Sequence, residues 1–249
     1  MSLWNSYHRA VKIMLGTFQV GAKHMVLEKS VRYRLDELKK SLYRKHLSNH
    51  TVQVTSFGGT GTSMLCRFLE KSGADLPQSI VPDHIENDWA PWKHMRTPPP
   101  EQWVPDDFRA IYVVSDPRNA VLSVFRRGYQ YAHVQRMDGD VHRFHSGMTL
   151  SDYLNLETDP FKLEGHFERW SQCSRDYPIL IVKYDHLWDR IGEIVEFVGL
   201  PESIKHDFPE RRARSSDWQT LPVCDRTKLD ALFGNLAGRI RELSPRQIR

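Results

Sequence analysis

The chain has no apolar run of eighteen residues, so no segment reads as a membrane-spanning helix. Its N-terminus lacks the apolar stretch and small-residue cleavage site of a secretory signal. Cysteine is scarce: Cys66, Cys173 and Cys224 share no C-x-x-C spacing. That argues against a disulfide framework or a cysteine-based zinc site and fits a reducing, cytoplasmic setting. No Lys stands between Gly61 and the Thr62–Ser63 pair, so the glycine-rich segment there fails the Walker A pattern of ATPases and GTPases. No stripe of Lys and Arg interleaved with stacking aromatics runs through the body, so nucleic-acid binding is not indicated.

What is present is the composition of an ordinary globular protein, 249 residues with 40% hydrophobic and 27% charged, enough for one sizeable core. The net charge of +4 is uneven. The first fifty residues hold ten Lys or Arg against three Asp or Glu, leaving the remainder at −3. Trp4, Tyr7, Val11, Met14 or Leu15, and Phe18 recur at helical spacing. Residues 1–48 therefore read as a basic amphipathic helical extension, and 49–249 as an α/β domain. The extension is open to three roles: packing on the domain, peripheral contact with an anionic membrane, or binding a partner.

From residue 50 the pattern changes. Thr51–Phe57 reads as a strand, Gly58–Ser63 as a glycine turn and Met64–Glu70 as a helix. Such a turn lets backbone N–H groups face an anion, and the helix N-terminus adds partial positive charge. A second strand, Phe108–Val114, leads through Ser115-Asp-Pro-Arg-Asn119 into a helix at Ala120–Arg127, with Pro117 at a natural helix start. A third, Tyr177–Tyr184, runs through Asp185-His-Leu-Trp into a helix that stops at Gly199-Leu-Pro201. Alternating strands and helices predict a central parallel sheet covered by helices on both faces, with ligands bound beyond the carboxyl ends of the strands.

Four segments, in order, resemble the sulfotransferases that use 3'-phosphoadenosine 5'-phosphosulfate (PAPS). Ser56-Phe-Gly-Gly-Thr-Gly-Thr-Ser-Met-Leu65 is similar to the family's 5'-phosphosulfate loop, and Ile111–Ser123 to its 3'-phosphate segment. Ile181–Leu187 with the helix to Pro201 is similar to its third strand and turn, and Arg211–Trp218 to the basic stretch and Trp that close over the nucleotide. His166 and Trp170 also echo a His and a Trp found in many members. The resemblance spans roughly residues 50–245 and implies a P-loop-like nucleotide-binding three-layer sandwich. It places Gly58, Gly59, Thr60, Gly61, Thr62 and Ser63 around the phosphosulfate, and Ser123 on the 3'-phosphate. Ser115, Tyr184 and Trp218 are further nucleotide positions it implies.

Two positions depart from that pattern. Gly59 stands where the family usually has a Lys or Arg, and Ser115 where it has an Arg. Both missing groups are cations, which a dianionic phosphate and a developing leaving-group charge call for. Arg118, Arg211, Arg212 and Arg214 are the replacements nominated for the 3'-phosphate, and Lys93 for the loop. The family's usual base is a His after a Lys with one residue between them; here Lys93 and His94 are adjacent. His94 is the first candidate base and His84 the reserve.

The implied reaction is sulfuryl transfer from PAPS to a hydroxyl or amine, a carbohydrate or glycolipid being favoured by the basic extension, and it requires no metal. A phosphotransferase using an unmodified nucleotide and a non-catalytic nucleotide-binding relative remain open alternatives. Trp89, Trp92 and Trp103, near the stiff Pro98–Pro100, are open to an acceptor wall or to core packing. Residues 126–147, with His133, His142 and His145, read as a mobile substrate-side loop without metal-ligand spacing. Asp225 is read as capping a final helix whose Leu229, Leu232, Leu236 and Ile240 face the core.

Overall fold

A computed structural model of the chain describes residue 44 and residues 47–76, 91–137, 139–145, 147–213, 215–244 and 246–248. The chain divides into two units, Met1–Lys45 and His46–Arg249, and the sheet with its flanking helices belongs to the second. The expected basic extension lies almost wholly outside the described residues, as do His84, Trp89, the Trp92 side chain and Arg214.

Three strands, β1 (Val52–Ser56), β2 (Arg109–Val114) and β3 (Ile179–Lys183), pair in parallel in that spatial order. They match the predicted strands to within one or two residues. A short fourth strand, β4 (Arg246–Ile248), joins the β3 edge antiparallel, which the sequence pattern did not indicate. Three residues are too few to show an alternating pattern, so only the neighbouring edge reveals them.

The strands carry apolar side chains on both faces, which a parallel sheet needs because helices cover both. Val52, Val54, Ile111, Val113, Leu180 and Val182 face one core. That core includes α1 (Thr62–Lys71), through Leu65, Phe68 and Leu69, and α6 (Ile191–Phe197), through Ile191, Ile194 and Val195. Gly199, at φ 77°, ends the α6 segment as its sequence suggests.

Ala110, Tyr112, Val114, Ile179 and Ile181 face the other core. It is built with α2 (Pro117–Arg126), α3 (Gln130–Arg136), α4 (Leu150–Leu154), α5 (Leu163–Ser171) and α7 (Val223–Glu242). The chain is thus an α/β domain with a three-stranded parallel sheet flanked by helices. Each fully buried Leu, Ile or Phe contributes about 1.5–3 kcal/mol, so two cores on one sheet hold it firmly.

Two expectations need correction. Residues 126–147 are not a loop: α3 lies there, and Val134, Met137 and Phe144 are buried in the larger core. Their irregular spacing among polar residues hid the anchor. Asp225 does not cap α7, because the helix starts at Val223 after Pro222 and Asp225 falls inside its first turn, where it still favours the helix dipole. The expected stripe on α7 does face the core, with Leu229, Leu236 and Ile240 buried, Leu232 partly so, and Phe233 added.

Candidate functional site

The loop between β1 and α1 begins at Ser56, the last residue of β1. Its hydroxyl accepts from the Gly58 N–H at 3.0 Å and from the Thr62 hydroxyl at 2.7 Å, while the Thr60 and Thr62 hydroxyls lie 2.9 Å apart. Thr60 and Thr62 are both buried. These hydroxyls tie the loop to itself. The Met64 N–H already bonds the Gly61 carbonyl at 2.9 Å, so the Thr62 and Ser63 N–H groups, with no helical carbonyl behind them, remain the natural anion donors.

Gly58, Gly59 and Gly61 all have φ between 67° and 92°, the left-handed region that glycine enters without steric cost. Each also presses on a different element. A Cβ on Gly58 would collide with the His133 ring of α3. One on Gly59 would lie 2.7 Å from the Ala120 backbone of α2, and one on Gly61 2.5 Å from the Tyr184 ring just after β3. The loop is clamped on three sides, and any side chain at Gly59 would have to displace the Ala120 backbone.

Lys93 and His94 lie on a 3-10 turn, Pro91–His94, held against the end of β1. His94 Nδ1 is 3.0 Å from the Ser56 carbonyl oxygen. A carbonyl only accepts, so Nδ1 carries the proton and Nε2 is the acceptor of the neutral ring. Next to it, the Met95 N–H donates to Thr55 Oγ1 at 3.0 Å, and the Met95 carbonyl accepts from Trp170 Nε1 at 2.7 Å. Arg169 Nε donates to the Arg96 carbonyl at 2.9 Å. Strand β1 and helix α5 therefore hold the segment from both sides. Trp170 stacks on Tyr112, whose hydroxyl meets His166 Nδ1 at 3.1 Å, so His166 and Trp170 support the segment from inside the core.

Burial pushes the His94 imidazole from its ordinary value down to about 4, with the charges of Lys93 and Arg127 adding to the effect against the Ser56 hydrogen bond. The ring is neutral at pH 7. His133, edge-on to His94 at 5.3 Å between ring centres, and His166 are held well below the usual imidazole range, mainly by burial.

These parts meet in a cavity of about 420 Å³ beyond the carboxyl ends of the parallel strands. Gly59, Thr60, Gly61, Thr62 and Ser63 form one end, and Lys93 donates to Ser63 Oγ at 3.2 Å beside them. His94, Ser123, Tyr184 and Arg212 also line it, as do three residues that no sequence motif marked: Arg126, Arg127 and Trp188. Four cationic side chains, Lys93, Arg126, Arg127 and Arg212, face the space against one carboxylate, Glu210. Nothing in the sequence singled out Arg126 and Arg127 from the other cations, because their position relative to the loop depends on how α2 packs.

Other sequence candidates are placed elsewhere. Gly58 is buried against His133 rather than lining the cavity. Ser115 is buried, with its hydroxyl 3.4 Å from the Asp116 carbonyl. Arg118 donates to Asp116 at 2.6 Å and to Asp230 of α7, and its guanidinium lies 4.0 Å over the Trp218 ring. Asp116 also caps α2 by accepting from the Arg118 N–H, and Asn119 Oδ1 accepts from the Trp218 N–H at 2.8 Å. The Ser115–Asn119 motif thus anchors the turn at Trp218–Thr220, and through it the preceding segment that supplies Arg212 and Ser216 to the cavity. Arg211 lies 5.5 Å over the Trp188 ring, and Trp103 packs against the larger core.

Among the described residues no group of three or more His, Cys, Asp or Glu is arranged to hold a metal ion, and no helix is long and apolar enough to cross a membrane. No protein-family model matches the chain, and neither does any curated protein or solved structure.

Proposed function

We propose that this chain transfers a sulfuryl group from PAPS to a hydroxyl or amine acceptor within a P-loop-like nucleotide-binding fold. The observation that carries this reading is the convergence, in one cationic cavity, of a glycine loop at a helix N-terminus, Lys93 and an oriented neutral histidine. The loop suits a phosphosulfate, Lys93 suits the charge that grows on the leaving 5'-phosphate oxygen, and His94 suits proton removal from the acceptor.

The reaction is an in-line displacement at sulfur, so the protein supplies mainly position and charge. The acceptor oxygen or nitrogen forms a bond to sulfur as the bond to the 5'-phosphate oxygen breaks. The acceptor proton passes to His94 Nε2, and adenosine 3',5'-bisphosphate leaves. Nδ1–H, bonded to the Ser56 carbonyl, keeps the ring in the tautomer that can take that proton. Carbohydrate and glycolipid hydroxyls are the first acceptors to test.

Calorimetric titration with adenosine 3',5'-bisphosphate, ADP and ATP tests the donor. Tight binding of ATP with none of the bisphosphate would overturn the reading in favour of a phosphotransferase. Bisphosphate binding without transfer of labelled sulfate from PAPS to any of a broad acceptor panel would make the chain a non-catalytic nucleotide-binding protein.

A further inference from the structure

Of the residues nominated from the sequence for the 3'-phosphate end, Ser123 and Arg212 line the cavity, whereas Ser115 and Arg118 do not. Ser115 is buried beside the Asp116 backbone, and Arg118 is committed to Asp116, Asp230 and the Trp218 ring. A phosphate dianion beside Ser123 would still need charge-assisted donors.

Ser123 lies on α2, and Arg126 follows it by three residues, which puts both on one face of the helix. Both line the cavity. Arg212 enters from the segment before Trp218, and among the described residues neither arginine makes an ion pair. Ser216, also lining the cavity, is only 4% exposed, yet its hydroxyl has no hydrogen-bond partner. A buried hydroxyl without a partner is costly unless a ligand completes it.

We infer that Arg126, with Arg212 and the Ser216 hydroxyl, forms the 3'-phosphate subsite around Ser123 and makes Arg126 the residue that selects a nucleotide bearing a 3'-phosphate. The inference rests on the proposed nucleotide donor. It moves the cation from the end of β2, where the family carries it, to the last turn of α2. The reason is steric and electrostatic: the start of α2 is spent on holding Trp218 and α7, so only its far end is available to the ligand.

The test is calorimetric binding of adenosine 3',5'-bisphosphate and of adenosine 5'-monophosphate to the full chain and to Arg126→Met, with Arg126→Lys and Lys93→Met as comparisons. Arg126 is exposed at a helix end, and thermal melting checks that its variants fold. Arg126→Met should weaken the bisphosphate about 10- to 100-fold and change the monophosphate less than about twofold. Arg126→Lys should recover part of the loss, and Lys93→Met should weaken both ligands. A wild-type preference for the bisphosphate that survives in Arg126→Met overturns the subsite assignment alone. A wild-type chain with no such preference overturns the donor reading together with it.

Discussion

The α-carbon of Gly59 packs against the backbone of Ala120 so closely that an added Cβ would come within 2.7 Å of its Cα and carbonyl oxygen. A cationic side chain at this position, which the sulfotransferase resemblance would lead one to expect, is therefore excluded by packing between the loop and α2. Gly59→Ala, strained at φ 67° and in contact with backbone that cannot swing aside, should lower unfolding stability by about 1–3 kcal/mol. Gly59→Lys should be at least as damaging and should not strengthen nucleotide binding. Urea midpoints equal to wild type for both would refute the packing account.

Arg118 acts on the fold rather than on a ligand. It is 7% exposed and links the start of α2 to α7 and Trp218. Arg118→Met leaves Asp116 without its guanidinium partner and should cost about 2–4 kcal/mol. Bisphosphate affinity, measured well below the melting temperature, should change little. A large affinity loss with an unchanged melting point would place Arg118 in the ligand site instead.

In the proposed sulfuryl transfer, His94 should carry the chemistry without carrying the nucleotide. His94→Ala is expected to reduce sulfuryl transfer by about 10²- to 10⁴-fold, the scale of general-base catalysis, while bisphosphate affinity stays within a few-fold. With the imidazole at about 4, the transfer rate should be flat from pH 8 to about pH 5 and fall below that. A rate that already halves near pH 6.5 would mean a base with an ordinary imidazole value and would remove His94 from the step.

Stability should fall on acidification. His94, His133 and His166 all resist protonation in the folded chain, whereas unfolded imidazoles take up protons near pH 6.5. Their contribution is complete above that value and is lost as pH drops toward 4 and below. Buried Asp159 works the other way: burial lifts its carboxyl to about 6, so between that value and 3.8 the folded state holds a proton that the unfolded state releases. Three imidazoles outweigh one carboxyl, so the urea midpoint at pH 5 should lie below that at pH 7, and His94→Gln should narrow the gap. An equal or higher midpoint at pH 5 would contradict this balance.

Much of the scaffold was legible because its signals are local. The runs at 108–114 and 177–184 are apolar enough to read as strands buried on both faces, and three glycines in four residues mark the turn after β1. Pro117 and Gly199 punctuate helices through backbone geometry that only their own residue types decide. The site was less legible. Lys93 and His94 stood out because they resemble a known pair, whereas Arg126, Arg127 and Trp188 carry no local mark of their position. His133 read as part of a loop because its neighbours are polar, although its ring is buried beneath Gly58.

The sequence by itself determined the three strand-to-helix units of the parallel sheet, the glycine turn and the adjacency of Lys93 to His94, all properties of residues within a few positions of one another. Only the tertiary structure decided which cations face the loop. Arg118, nominated from its motif, is spent on Asp116 and Asp230, while Arg126, eight residues later on the same helix, reaches the cavity. The physical reason is that a charged side chain's role depends on which partners the packing of α2 against α7 and the glycine loop brings within hydrogen-bond distance, and those partners lie far away along the chain.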